Sequence, residues 1–235
     1  MKGYGQFCPI AKACEIFGER WTPLILRELI CGSTRFNDLR RGVPLLSPTV
    51  LSDRLKALQH AGIVERSRAK AGKGLEYRLT VAGQQFKPII LALGEWGQRW
   101  ARSDFSSGEL DAGLLMWDVH RTVKTGEFPL GRTVVQFEFK DLRPAERHFW
   151  LINTPEGVDI CITDPGFEID LQVATDLCTL TRVWCGDLSL RKTIASGAID
   201  LHGRRDLRQR FEQWFALSHF AGIRPGRPAQ LSLAS

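Results

Sequence analysis

Thr49, Ser52, Asp53 and Lys56 recur at helical spacing within the stretch Ser47 to Gly62, SPTVLSDRLKALQHAG. At about 100° per residue they share one face, and Leu51, Leu55 and Leu58 share the opposite one. The first set carries donors and acceptors on short stems; the second set can only anchor. A helix held by its leucines and presenting such a polar face is what reading base edges in a major groove requires. The competing reading is an ordinary amphipathic surface helix. Ser47 is a good N-cap, Pro48 suits the first helical position, and Gly62 can take the left-handed stop.

Other reactive types give less. The cysteines at 8, 14, 31, 161, 178 and 185 form no C-x-x-C pair, and no histidine stands at zinc-finger distance. No metal site and no cofactor are expected. Cys8 precedes Pro9 at a helix start, where a thiol can have a depressed pKa; it is read either as a reactive thiol or as an inert buried one. The histidines at 60, 120, 148, 202 and 219 are scattered. No nucleophile-elbow, phosphate-loop or zinc-protease spacing occurs. Asp164 with Glu168 or Asp170 could form a carboxylate pair, but a polar strand face explains them more simply. The chain is not expected to be an enzyme.

The elements around the polar face supply context. The chain has 235 residues, 43% of them hydrophobic, and a net charge of +6. Residues 1–104 hold 17 Lys/Arg against 9 Asp/Glu, and residues 105–235 hold 15 against 17. A basic half joined to a near-neutral half implies two domains with different partners, 1–104 and 109–224, the first drawn to polyanions. No secretory h-region and no run long enough to span a membrane are seen, so a cytoplasmic protein with no membrane partner is expected.

Within the basic half, 10–18 reads as a helix, and Thr22-Pro23 caps a second that stops at Gly32. A third covers Arg35 or Phe36 to about Arg41. After Gly62 the period changes to two. Ile63–Arg68 and Leu75–Thr80 read as a hairpin whose basic tip, Lys70 to Gly74, can reach phosphate. Helices followed by a hairpin make a winged helix. Thr80 then caps a long helix to about Arg102, with Phe86, Ile89, Ile90, Leu93, Trp96 and Trp100 as an apolar stripe. The stripe serves a homodimer interface or packing against the second domain. Arg40, Arg41, Lys70 and Lys73 are assigned to phosphate contact, Ser47, Thr49, Ser52, Asp53 and Lys56 to the DNA-reading helix. Arg54, on its flank, either clamps phosphate or pairs with an acidic neighbour.

This series resembles the HxlR family of winged-helix transcription regulators. The residues carrying the likeness are Cys8-Pro9, Gly18-Glu-Arg-Trp21-Thr22 with Ile25-Leu26, and Arg35-Phe-Asn-Asp-Leu39. The likeness continues through Ser47 to Leu58, Gly62-Ile63-Val64, Glu76-Tyr77-Arg-Leu79-Thr80, Gly83 and Trp96-Gly97. The resemblance implies a dimer that binds double-stranded DNA, and, since some members of the family use a cysteine in this region to sense oxidants or electrophiles, a sensor role for Cys8 as the alternative to an inert thiol. Two departures stand out: Glu19-Arg20 where Gly-Lys is common, and Gly72-Lys73-Gly74 where the wing often has proline.

The second half reads as α+β. Helices are expected at 114–123, 175–184, 188–194 and 207–220. Strands are expected at 133–139, 148–153, 157–163, 167–173 and 198–202. Its order resembles the sterol carrier protein type-2-like fold over about residues 110–222. The likeness is carried by Gly157–Ile162, Val173, Asp176-Leu177, Leu180-Thr181, Val183–Asp187, Ser196-Gly197 and Leu201-His202-Gly203. That resemblance implies an apolar tunnel and a small apolar ligand acting as effector; the alternatives are a core with no pocket and a domain that extends the dimer. The function expected is a dimeric DNA-binding transcription regulator, the alternative a carrier of lipid-like ligands.

Overall fold

The computed structural model describes residues 3–69, 74–102, 105–106, 108–224 and 226. The chain divides into two compact units, Met1–Trp96 and Gly97–Ser235. The division falls ahead of the linker expected at 103–108.

Unit 1 runs α1 (Pro9–Phe17), α2 (Thr22–Ile30), α3 (Phe36–Gly42), α4 (Pro48–His60), β1 (Val64–Arg68), β2 (Leu75–Leu79), α5 (Val81–Gln84) and α6 (Lys87–Trp96). The strands pair antiparallel, Val64 opposite Leu79 and Arg68 opposite Leu75. Arg35 bridges to Glu76, which ties the start of α3 to the hairpin. Ile25, Leu26, Leu39, Leu51 and Leu55 lie at the centre of the core. The hairpin tip expected at 70–74 falls, apart from Gly74, outside the described residues.

Two readings of this unit need correction. Thr22 does not cap α2. Trp21 stands at the N-cap, in the left-handed region at φ 77°, and makes no side-chain cap bond. Thr22 is buried inside the first turn, its N–H bonded to the Glu19 carbonyl. The helix expected from Thr80 to Arg102 is also not continuous. Thr80 does cap α5, its Oγ1 accepting from the Gly83 N–H at 3.1 Å. Pro88 then has no N–H for the Gln84 carbonyl, and its ring crowds that carbonyl. The chain makes a tighter turn, Phe86 N–H to the Gly83 carbonyl, before α6 begins. Beyond α6 the residues Gly97–Ala101 form a π-helical turn.

A charged group lies at the centre of unit 1. Glu28 is fully buried. Its carboxylate accepts from Arg27 at 2.9 Å and from the Ser33 hydroxyl at 3.1 Å. Arg27 also donates to the Gly42 carbonyl at 2.6 Å. A Cβ at Gly42 would sit 1.9 Å from the Glu28 carboxyl, so the glycine leaves the space that the carboxylate fills.

Unit 2 runs α7 (Ala112–Thr122), β3 (Thr133–Phe139), β4 (His148–Thr154), β5 (Gly157–Cys161), β6 (Leu171–Thr175), α8 (Leu177–Trp184), α9 (Leu190–Ala195), β7 (Asp200–Gly203), α10 (Arg205–Gln209) and α11 (Phe211–Trp214). The sheet order is β5-β4-β3-β6-β7, with β3 and β6 parallel and the other neighbours antiparallel. Alternation along β3 sends Val135, Phe137 and Phe139 to one face, where they join Leu180, Phe211 and Trp214 of the helices in one core.

Here too the sequence reading shifts. The strand expected over 167–173 begins only at Leu171, because the β5-to-β6 connection must cross β4 and β3 and cannot pair while crossing. It is pinned at its end, where Asp170 donates N–H to the Val134 carbonyl at 3.0 Å and its carboxylate accepts the Val134 N–H at 2.9 Å. The helix expected over 207–220 is instead α10 and α11. It stops at Trp214, whose carbonyl is taken by the Lys124 N–H at 3.0 Å. Asp176 and Ser189 cap α8 and α9, so these helices start two residues later than expected. The last strand begins at Asp200 rather than Ala198.

Gly42→Ala is expected to lower stability by about 1–3 kcal/mol, because the added methyl must displace a buried, hydrogen-bonded carboxylate. Gly126→Ala, which meets nothing within 4 Å, should change stability by less than about 0.5 kcal/mol. Thermal unfolding of the two variants checks the difference; equal melting temperatures would contradict the tight fit.

Candidate nucleic-acid interface

The α4 helix is fixed at both ends. Ser47 Oγ accepts from the Val50 N–H at 3.3 Å, so the expected cap is present. At the other end Gly62 adopts φ 71°. Its N–H bonds the Gln59 carbonyl and the Ile63 N–H bonds the Leu58 carbonyl, at 3.0 and 2.9 Å. This double bond pattern satisfies the last carbonyls and turns the chain into β1.

Along its length α4 divides as its spacing implies. Leu51, Leu55 and Leu58 are buried, while Thr49, Asp53 and Lys56 are exposed and Ser52 is half-buried. Lys56 pairs with Asp53 at 3.4 Å, and both side chains remain largely in water. Such a pair is worth at most about 1 kcal/mol and can be exchanged for another partner. Asp53 alone repels phosphate; it can accept from a cytosine amino group or orient Lys56.

Arg54 has the acidic neighbour that one of its two readings asks for. Its guanidinium lies 2.7 Å from the Glu19 carboxylate, with both side chains partly shielded. Glu19 is one of the residues that depart from the usual Gly-Lys pattern, and here it braces α4 against the α1–α2 turn. Arg40 and Arg41 stand exposed in the last turn of α3. Lys70 and Lys73 lie outside the described residues. Sequence reasoning passed over Arg66 and Arg68 on β1, which are exposed two residues apart on one strand face beside the tip. The period-two alternation that located the strand already contained them.

The apolar stripe separates into two sets. Ile90 is 8% exposed and belongs to the core of unit 1. Phe86 is half-buried and stacks on Phe17 at 5.7 Å. Ile89, Leu93 and Trp96 are 49%, 46% and 58% exposed, and they follow the i, i+4, i+7 spacing of one helix face. Trp100, also exposed, lies in the π-helical turn. Tyr4, Phe7 and Ile10 are exposed near the start of the chain and had gone unmarked. Cys8 is a half-buried free thiol at the N-cap of α1, the end where a helix favours negative charge.

The carboxylates considered as a pair in unit 2 have structural partners. Asp164 accepts the Gly166 N–H at 2.8 Å, and Asp170, besides its bond to Val134, pairs with Arg204 at 3.2 Å. Among the described residues no group of three His, Cys, Asp or Glu side chains could hold a metal ion, and no helix is long and apolar enough to cross a membrane.

The description of a known family fits this geometry. The HxlR-like helix-turn-helix model matches residues 16–105. The HTH-type transcriptional regulator YvaP of Bacillus subtilis is 36% identical over 102 residues, which make up 43% of this chain and 94% of YvaP. The chain belongs to the HxlR-like helix-turn-helix family. Another member-like relative, the HTH-type transcriptional regulator Rv3095 of Mycobacterium tuberculosis, is 40% identical over 92 residues, 39% of this chain and 58% of Rv3095. Among solved structures, the redox regulator HypR in its oxidized form is 31% identical, covers 42% of this chain and 100% of that chain, and superposes at a TM-score of 0.38. This HxlR-like chain is thus a helix-turn-helix transcriptional regulator through its first hundred residues, and α4 occupies the helix-turn-helix region. Most of unit 2 lies beyond the family match.

Ser47→Ala should cost about 1 kcal/mol of stability through loss of the cap. A double-mutant cycle of Glu19→Ala and Arg54→Ala should give a coupling of about 0.5–1 kcal/mol that falls as salt rises. Denaturant unfolding at two ionic strengths measures both; a coupling of zero at low salt would remove the bracing role of Glu19.

Proposed function

We propose that the chain acts as a homodimeric regulator in which α4 of each copy enters a major groove of a twofold DNA site. The observation that carries the reading is the division of α4: three buried leucines hold it, and Thr49, Asp53 and Lys56 stand free of the core on the other side. Lys56, released from Asp53, reads guanine or takes phosphate, and Thr49 and Ser52 contact base edges or backbone. Arg40 and Arg41 contact phosphate from α3. Arg66 and Arg68 contact phosphate from β1, and Lys70 and Lys73 are assigned the same role. Arg54, engaged with Glu19, positions α4 rather than reading.

For the pairing of copies, the exposed row Ile89, Leu93 and Trp96 supports the reading better than the full stripe does. Phe86 and Ile90 have their partners within unit 1. For unit 2, a sterol-carrier-like domain is supported by the sheet face that packs against the helices and by the last strand ending at Gly203. In that reading it takes a small apolar effector, which controls DNA binding only to the extent that it prefers one DNA-binding geometry over another.

Binding to duplex carrying the sequence upstream of its own gene should exceed binding to random duplex and weaken steeply with salt, by about 0.9 in log–log slope for each phosphate neutralised. Lys56→Ala should lower the preference by about 1–3 kcal/mol. Joint replacement of Lys70 and Lys73 by Ala should weaken binding to all sequences alike and flatten the slope. Fluorescence anisotropy across a salt series measures these effects, and equal affinity for specific and random duplex would leave the carrier function as the better account. Leu93→Arg, at an exposed position, should convert dimers to folded monomers by light scattering. A mass unchanged by that substitution would rule out the α6 face as the dimer contact.

A further inference from the structure

Unit 2 holds a cleft of about 440 Å³ between the start of α7, the start of α8, the start of β4 and the residue after β5. That volume lies within the range of small-molecule sites. Its walls are apolar: Leu110, Leu142, Phe149 and Leu177 line it, and Ile162 stands on the rim at 75% exposure. Phe149 and Leu177 are at the same time members of the core, so the floor is held in place by packing on its far side.

The polar groups of the cleft are Asp111, Glu146 and His148, and among the described residues neither lysine nor arginine lines it. The helix starts beside it offer little to an anion, because carboxylates of the chain already occupy them. Asp111 accepts the Leu114 N–H at 2.8 Å. Asp176 accepts the Thr179 N–H at 2.7 Å, and Asp141 accepts the Leu177 N–H at 3.0 Å. A fatty acid or phosphate entering here would meet carboxylates in place of open N–H groups. Glu146 accepts two hydrogen bonds from Arg143, at 2.5 and 3.1 Å, in a pair exposed to water on both sides. Both groups stay solvated, which limits what exchanging the pair for another cation costs. His148 lies 3.9 Å from the Glu138 carboxylate and adds a ring nitrogen to the rim.

We infer that this cleft binds an apolar amine. The hydrocarbon or aromatic body lies against Leu142, Phe149 and Ile162, and the ammonium group, with three donors and no acceptor, sits between Asp111 and Glu146. As the effector site of the regulator it rests on the DNA-binding function proposed above; as a binding site it stands without it.

Calorimetry on the full chain at pH 7 distinguishes the head-group chemistry, with decylamine, decanol and decanoate each kept below its micelle concentration. Decylamine should saturate one site per chain and bind at least about tenfold more tightly than decanoate. Asp111→Asn, which keeps a capping oxygen, combined with Glu146→Gln should weaken decylamine at least about fivefold and leave decanol unchanged. Ile162→Arg, at a rim position that the core does not use, should abolish amine binding. Decanoate binding as tightly as decylamine, no saturable binding of any of the three, or an amine affinity indifferent to the Asp111 and Glu146 changes would each overturn the assignment. The same preparation is titrated with promoter duplex in parallel. Intact DNA binding with no amine binding refutes the cleft alone, and saturable amine binding with no DNA preference refutes the regulator alone.

Discussion

A buried carboxylate is tolerable only while its partners are in place, and unit 1 is assembled around one. Glu28 has no access to water; Arg27, Ser33 and the space left by Gly42 make its burial affordable. These contacts join the end of α2, the turn after it and the end of α3. Because α4 follows α3 after a short connection, the position of α4 inherits its precision from that group. The Arg54–Glu19 pair then fixes α4 a second time, from the side of α1 and α2. Two ionic contacts of different burial thus define one helix, the inner one by geometry and the outer one by attraction that salt can weaken.

The parts of unit 1 that rest on local physics could be read from the residues alone. Ser47, Pro48 and Gly62 mark the ends of α4 through capping and φ preference, and the leucine spacing marks its buried side. The hairpin followed from a change of period. What escaped was tertiary. Nothing near Glu28 in sequence says that its carboxylate will be buried opposite Gly42. Likewise the stripe from Phe86 to Trp100 has one periodicity but two destinations, and only packing separates Ile90 from Leu93. Pro88 was a visible break signal, and the strength of the apolar repeat hid it.

In unit 2 the element types were legible and their limits less so. β3, with apolar residues at alternate positions, lies where its alternation placed it. The crossing segment before Leu171 carries the same alternation, yet topology denies it a neighbour to pair with. The end of α11 is set by Lys124, ninety residues earlier in the chain, a constraint that no local window contains. The candidate cleft shows the same limit. Asp111, Glu146 and His148 come from separate elements, and the sequence reading looked for an apolar tunnel without the carboxylates that select what enters it.

The parallel pairing of β3 with β6 has a consequence for synthesis of the chain. The hairpin of unit 1 joins strands a few residues apart. Val135 of β3, in contrast, faces Leu171 of β6, and the segment between them includes two other strands. On a growing chain β3 can pair with β4 on one edge, while its other edge stays open until β6 has been made. That edge is flanked by Phe137 and Phe139, which are fully buried once folding is complete. An open apolar edge is a template for pairing with another chain. The interval between residues 139 and 171 is therefore where this protein is most exposed to misassembly, after its DNA-reading unit already has its full sequence.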